Sequence, residues 1–241
     1  MRMRIRVGNL WVAALVCCTV WSAAGLAANR PADNTLSENE KKAGWKLLFD
    51  GKTLDGWIVT GSKEGWAVED GTLACTVKGG DYIATKEQFG DYILSVDFKY
   101  EKGANSGIFF RWADLSDPVN TGIEMQILDT YGSKELTKHD CGAIYDILEP
   151  AKRAEKPAGE WNTAIISCMG SQINVRLNGV RVINLDLNKW TTPHKNPDGT
   201  DNKFPTAYKD MSRKGHIGFQ DHGSRVWFRN IKIKPLDRAK P

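Results

Sequence analysis

The side chains of this chain that could move a proton or hold a developing charge fall into two groups. The first is the histidines, of which there are four: His139, His194, His216 and His222. His222 stands in Gln220-Asp-His-Gly223, a tight junction between two extended stretches. An imidazole titrating at about 6.5 suits proton transfer there, although a histidine in a turn also serves simple exposure. His139 precedes Asp140 in a long loop and is a second candidate pair on the same terms. His194 lies in a Pro-rich loop and His216 begins a strand, so both have weaker claims. The second group lies in strand-like segments: Asp97 and Lys99, then Arg111, then Glu124 and Gln126. Arg111 and Glu124 sit among large apolar residues, where solubility alone would accept Lys, Thr or Ser. If these segments pair side by side, one sheet face presents carboxylate, guanidinium and amide groups beside Phe109 and Trp112. Such a face serves a site or, equally, a solvated network of ion pairs.

Other chemistries find less support in the spacing. There is no Cys-x-x-Cys and no His-x-His, and the acids are spread over separate strands. No metal ligands are therefore assigned, and a divalent metal stays open. No Gly-rich stretch sits between a strand and a helix as a phosphate loop would, and no cofactor is expected. Gly-x-Ser-x-Gly is absent, which disfavours a serine nucleophile on a strand-to-helix elbow.

The elements that must position these residues read as strands. In 91–100 the apolar Tyr92, Leu94, Val96, Phe98 and Tyr100 alternate with Ile93, Ser95, Asp97 and Lys99, the pattern of a half-buried strand. Segment 106–112 puts Ile108 and Phe110 on one face and Phe109 and Arg111 on the other. Segment 122–129 separates Ile123, Met125 and Ile127 from Glu124, Gln126 and Leu128. Further strands are expected at 162–168, 172–177, 180–185, 216–220 and 225–233. Asn178-Gly179 accepts the positive φ angles of a type I′ turn and predicts a hairpin between the second and third of these. In the last strand the apolar phase slips between Phe228 and Ile231, which predicts a bulge near Asn230. No segment carries an amphipathic-helix pattern beyond a turn around 146–153. Many short strands with Gly-rich turns specify an all-β fold of two antiparallel sheets packed as a sandwich. The long loops 131–160 and 188–214 are expected to wall or cover a site.

The chain of 241 residues carries a formal charge of +4, with 41% hydrophobic and 26% charged residues, which excludes a disordered chain or a multi-span membrane protein. Residues 1–28 have the form of a secretory signal peptide. Arg2, Arg4 and Arg6 precede an apolar run of about a dozen residues, too short for the ~20 of a membrane span, and Ser22-Ala-Ala-Gly-Leu-Ala-Ala28 offers small residues for cleavage. Periplasmic or secreted location is expected. Lipidation at Cys17 or Cys18 ranks behind it, because Ala14-Leu-Val-Cys17 lacks the small residue usual before a lipidated cysteine. Losing three Arg and no acid lowers the charge to +1 and leaves 213 residues. The basic excess thus belongs mostly to the leader, and nucleic-acid binding is not expected. Residues 29–43 read as a flexible leader and 44–238 as one domain. Its three cysteines, Cys75, Cys141 and Cys168, allow at most one disulfide, and spacing does not say whether any forms.

One ordered set of motifs goes further. Leu47-Leu-Phe-Asp-Gly-Lys-Thr-Leu-Asp-Gly-Trp57, Trp66-Ala-Val-Glu-Asp-Gly71, Asn105-Ser-Gly-Ile-Phe-Phe-Arg111, Gly122-Ile-Glu-Met-Gln-Ile-Leu-Asp129, Gly142-Ala-Ile-Tyr145, Gly159-Glu-Trp-Asn162, Leu177-Asn-Gly179 and the 215–223 stretch followed by Phe228-Arg-Asn-Ile231 run from about 44 to 236. Together they resemble the 3-keto-disaccharide hydrolase family. That resemblance implies a concanavalin A-like jelly roll and action on glycosides already oxidised at C3 by a separate sugar 3-dehydrogenase. A C3 ketone acidifies the C2 hydrogen, so a base could form an enolate that expels the C1 aglycone, with water then completing hydrolysis. In these terms Arg111 and Asn105 would polarise the C3 oxygen, and Glu124 or His222 would be the base. Asp129 or Tyr145 would assist the leaving group, while Gln126, Gln220 and His139 would bind sugar hydroxyls. The alternative from another class is a noncatalytic, lectin-like carbohydrate-binding module. Trp57, Trp66 and Trp161 are first assigned to core packing, with the indole N–H bonded to a loop carbonyl.

Overall fold

Period-two alternation is realised as thirteen strands among residues 32–236, the part of the chain that the computed structural model describes. The signal peptide expected at 1–28 and the last two residues of the 44–238 domain lie outside the described residues. In chain order the strands are β1 (Lys46–Leu47), β2 (Trp57–Val59), β3 (Trp66–Glu69), β4 (Thr72–Cys75), β5 (Tyr82–Thr85), β6 (Tyr92–Tyr100) and β7 (Asn105–Trp112). They continue with β8 (Ile123–Leu128), β9 (Asn162–Met169), β10 (Gln172–Leu177), β11 (Val180–Asp186), β12 (His216–Gln220) and β13 (Val226–Pro235). One sheet has the order β11-β10-β9-β6-β13-β4-β3, with β1 also on β13; the other has the order β2-β5-β12-β7-β8. All the strand pairings are antiparallel. The molecule is a two-sheet jelly-roll sandwich.

The core lies where the alternation places it. Tyr92, Leu94, Val96, Phe98 and Tyr100 of β6 are fully buried, as are Ile108 and Phe110 of β7 and Ile123, Met125 and Ile127 of β8. Phe219 of β12 stacks on Phe228 of β13 with centroids 4.0 Å apart, so the two sheets meet through aromatic rings. Trp57 and Trp66 are core residues whose indole N–H groups donate to the Leu48 and Gly80 carbonyls. Trp161 differs: it is partly exposed, with the Arg229 guanidinium 3.9 Å from its ring centroid. Asn178 and Gly179 both have positive φ and close the β10–β11 hairpin in the expected register. Cys75, Cys141 and Cys168 are buried free thiols. Burial pushes Cys75 and Cys141 up to about 12 and Cys168 up to about 11.

The β13 bulge has a consequence that composition did not suggest. Asn230 takes φ +50°, and pairing with β6 slips between Arg229 and Lys232. The slip frees the Asn230 N–H, which donates to Asn34 Oδ1 at 2.9 Å, while Asn34 N donates back to Asn230 Oδ1 at 2.7 Å. Asp33 pairs with Arg229 and Glu40 with Lys232. Much of the segment expected to be a flexible leader is therefore fastened to the sandwich, because the bulge offers backbone groups that the sheet cannot satisfy.

Two polar groups lie elsewhere than their sequence pattern implies. Asp97 and Lys99 do not share a sheet with Glu124, because the turn at 101–104 carries the chain from β6 in one sheet to β7 in the other. Arg111 does not lie on the polar face either. It adopts φ +51° in a bulge of β7: Phe109 opposes Gly218, whereas Trp112 opposes His216, so three steps on one strand match two on the other. The extra residue breaks the alternation, so Trp112 joins Phe109 on the outer face and Arg111 turns inward. There its fully buried guanidinium donates to the Gly170 carbonyl at 2.6 Å and to Asp91 at 3.1 Å, joining the five-stranded sheet to strand ends of the other. Arg111→Ala is expected to lower unfolding free energy by about 3–5 kcal/mol in urea titration. The same variant should leave the Glu124 titration described below unchanged.

Candidate active site

The outer face of the five-stranded sheet is divided. Ala84, Phe109 and Trp112, with Tyr82 and Leu115 against them, form a small second apolar cluster. Beside it is a pocket of about 320 Å³, including its open mouth, lined by Asn105, Val119, Glu124, Gln126, Tyr145, Lys203, Gln220 and His222. Six residues singled out from sequence meet here: Asn105, Glu124, Gln126, Tyr145, Gln220 and His222. A wider groove around Asp91, Gly170 and Arg213 lies at the Arg111 end and holds none of them.

Strand register explains the convergence. Gly107 opposes Gln126 and Phe109 opposes Glu124, so Glu124, Gln126 and the glycine share the outer face. A Cβ on Gly107 would lie 2.2 Å from Glu124 Oε1, so the missing side chain is the space in which this carboxylate rests. The chain after β8 then doubles back along it. Gln126 N donates to the Ala143 carbonyl, Gly142 N to that of Gln126 and Tyr145 N to that of Glu124. The Gly142–Tyr145 motif thus sets the Tyr145 phenol beside Glu124. Gln220 enters from β12 and donates to the Tyr82 hydroxyl at 3.0 Å. Gln126 donates to Asn105 Oδ1 at 2.8 Å, which fixes the Asn105 amide and leaves its NH2 as a donor toward the pocket. His222 is exposed at the rim in a loop held at both ends, with Asp221 accepting from Gly80 N at 2.9 Å and Ser224 accepting from Asn105 N.

Glu124 is electrostatically unlike the carboxylates around it. Its carboxyl has no hydrogen-bond partner among the described residues, and burial pushes it up to about 8, with the Lys203 charge pulling the other way. Burial also raises the Tyr145 phenol, reinforced by the Glu124 charge, so Tyr145 keeps its proton. A carboxyl with this affinity for a proton is poised to accept one from a weak carbon acid near neutrality. Beside it stand a phenol and an imidazole able to donate.

Three sequence candidates fall outside the pocket. Arg111 is the internal brace already described. Asp129 accepts from Gly103 N at 2.8 Å and closes the turn into β7, because it follows β8, one step beyond the polar-face positions. His139 stands behind the wall: its ring lies 4.7 Å from that of Tyr145, and its Nε2 is 3.3 Å from Asp146. Two lining residues escaped sequence reading. Val119 comes from a short helix, α1 (Pro118–Thr121), between β7 and β8. Lys203 comes from the long 188–214 loop, where five lysines stand and nothing local marks this one. Among the described residues no three of His, Cys, Asp and Glu converge as a metal-binding group.

Comparison with known proteins agrees in extent with this architecture. A family model described as a 3-keto-alpha-glucoside-1,2-lyase-like domain matches residues 44–234. A 3-keto-disaccharide hydrolase of Bacteroides thetaiotaomicron is 30% identical over 230 residues, covering 80% of this chain and 79% of that one. A crystal structure of a candidate glycosyl hydrolase from Parabacteroides distasonis matches with TM-score 0.73 and 38% identity, over 80% of this chain and 99% of the other. A second from the same organism matches with TM-score 0.72 and 28% identity, over 86% and 100%.

The raised Glu124 carboxyl makes a stability prediction. The folded protein keeps this proton up to about 8, whereas an unfolded carboxyl releases it near 4.5. Its favourable contribution is therefore complete below about 4.5 and is lost as pH rises through 8. Glu124→Gln should match the wild type in urea midpoint at acid pH. Above neutrality it should become the more stable protein, by up to a few kcal/mol.

Proposed function

The chain belongs to the 3-keto-alpha-glucoside-1,2-lyase-like family, and from that premise we propose that it cleaves glycosides bearing a ketone at C3. The observation that carries the reading is the partnerless, half-buried Glu124 carboxyl, whose proton affinity is raised in a polar pocket. Ordinary glycoside hydrolysis asks for a pair of carboxyl groups flanking the scissile bond. This pocket is lined by one, surrounded by amides and weak acids, which suits α-proton abstraction better. A noncatalytic sugar-binding module would have no use for a carboxyl held at a cost in stability.

In the proposed reaction Glu124 removes the C2 proton, which the C3 ketone has acidified. The electron pair passes to the C3 oxygen as an enolate, with the Asn105 amide as a donor to it. Re-formation of the ketone expels the C1 oxygen with its aglycone, and Tyr145 or His222 supplies the proton to that oxygen. The product is a 3-keto-2-hydroxyglucal. Water adds across C1 and C2 in a second phase: its hydroxyl goes to C1, its proton goes to whichever of Tyr145 or His222 protonated the aglycone, and the proton held by Glu124 returns to C2, which gives net hydrolysis and resets both base and acid. Gln220, braced by Tyr82, and Gln126 orient hydroxyls. Export through residues 1–28, and supply of the oxidised sugar by a 3-dehydrogenase in the same compartment, belong to the same proposal.

Purified protein is expected to release aglycone from a 3-keto-glucoside and not from the unoxidised glucoside. Because the base must be ionised, kcat/KM should rise with pH and level off above about 8. Glu124→Gln should lose about 10²–10⁴-fold and the pH limb with it. A Glu124→Gln enzyme at wild-type rate would remove this residue from the mechanism. Binding of unoxidised sugars without release from several 3-keto-glycosides would instead favour a binding module.

A further inference from the structure

With Arg111 turned into the core, the charge developing on the C3 oxygen loses the cation that the sequence had offered it. We propose that Lys203 takes this role: its ammonium stabilises negative charge in the pocket, first on the Glu124 carboxylate and then on the enolate oxygen. The second half of this assignment rests on the 3-keto-glycoside reading; the first does not.

Four observations support it. Lys203 lines the same pocket as Glu124. Its Nζ lies 4.2 Å from the Tyr145 ring centroid and 5.6 Å from that of Phe204. Nearby loop lysines are neutralised by carboxylates, Lys195 by Asp201 and Lys138 by Asp198, whereas among the described residues Lys203 has no carboxylate partner. An ammonium steadied by π faces keeps its full charge for a ligand, which one tied to a carboxylate does not. Finally, its backbone is anchored independently of its side chain. The Lys203 N–H donates to Asp146 Oδ2 at 2.7 Å. Asp146 itself takes φ +62°, and its carbonyl accepts from Asn196 while its other oxygen faces His139. A left-handed, non-glycine residue that ties the two long loops together through His139, Asn196 and Lys203 is a clamp that holds the wall over the pocket. Lys203 is thus aimed by Asp146 and seated by Tyr145.

Lys203→Met and Lys203→Arg test the assignment, and both leave the Asp146 contact in place. The first readout is the Glu124 carboxyl titration, followed by ¹³C NMR in substrate-free protein. The second is kcat and KM on a 3-keto-glucoside at a pH of about 9, where the base is ionised. Lys203→Met should move the titration upward and lower kcat by about 10²–10³-fold with little change in KM, as expected for loss of an oxyanion partner. Lys203→Arg should keep the wild-type titration and retain kcat within about tenfold. A Lys203→Met titration identical to wild type overturns the proposal whatever the substrate. A shifted titration with unchanged kcat overturns the enolate role. If the wild type releases no aglycone from any 3-keto-glycoside, the functional reading fails on its own, and the titration still decides whether Lys203 serves Glu124.

Discussion

An ionisable carboxyl pressed against Gly107 opposes folding at neutral pH, and much of the remaining structure makes that placement tolerable. Glu124 has given up part of its water without gaining a hydrogen-bond partner, so its charged form is penalised by burial. The offset comes from the far side of the same sheet. Ile108, Phe110, Ile123, Met125 and Ile127 bury their side chains against the larger sheet, and Phe219 on Phe228 links the two layers. The strands that pin Glu124 are thus held by contacts unconnected with its chemistry. A reactive group can be strained only when its scaffold is over-determined in this way.

Arg111 and Lys203 illustrate how one charge type serves opposite ends. Arg111 is buried, paired with Asp91 and bonded to a carbonyl, so its charge is spent on joining two sheets. Lys203 is exposed on a loop, steadied by rings and left uncompensated by a carboxylate. The polar groups of the pocket follow a similar division. Gln126 and Gln220 are each engaged by a neighbour, Asn105 and Tyr82, and so arrive preorganised, while Glu124 stays unpartnered. Preorganised donors around a reactive group are what lets a pocket favour a charged transition state without reorganising during the reaction.

Strand positions were legible because a strand writes itself into sequence with period two. The β6, β8, β10 and β12 segments have bounds within a residue of those expected, and the Asn178-Gly179 turn and the Asn230 bulge were both visible as local breaks in pattern. Short strands were not: β1 and β2 have two and three residues, too few for any periodicity to show. The bulge at Arg111 was missed for a different reason. Phe109-Phe110-Arg111-Trp112 alternates plausibly in either phase, because aromatic residues occupy both faces, and only the positive φ of Arg111 and the register slip against β12 reveal the turn of the backbone.

By itself the sequence determined the class of fold, the six pocket residues carried on or next to strands and, through an ordered set of motifs, the family. These are local properties: alternation, turn chemistry and residue type persist however the strands are later arranged. Tertiary structure decided which polar residues meet. It sent Asp97 and Lys99 to the other sheet, turned Arg111 into the core, left Asp129 on a turn and His139 behind the wall, and brought in Lys203 from a distant loop. The physical reason is that a one-residue slip reverses the face of every side chain after it, and a sheet crossing separates neighbours in sequence. A loop lysine owes its place to contacts made more than fifty residues away, with Asp146 and Tyr145. Neither effect leaves a mark in the residues on either side.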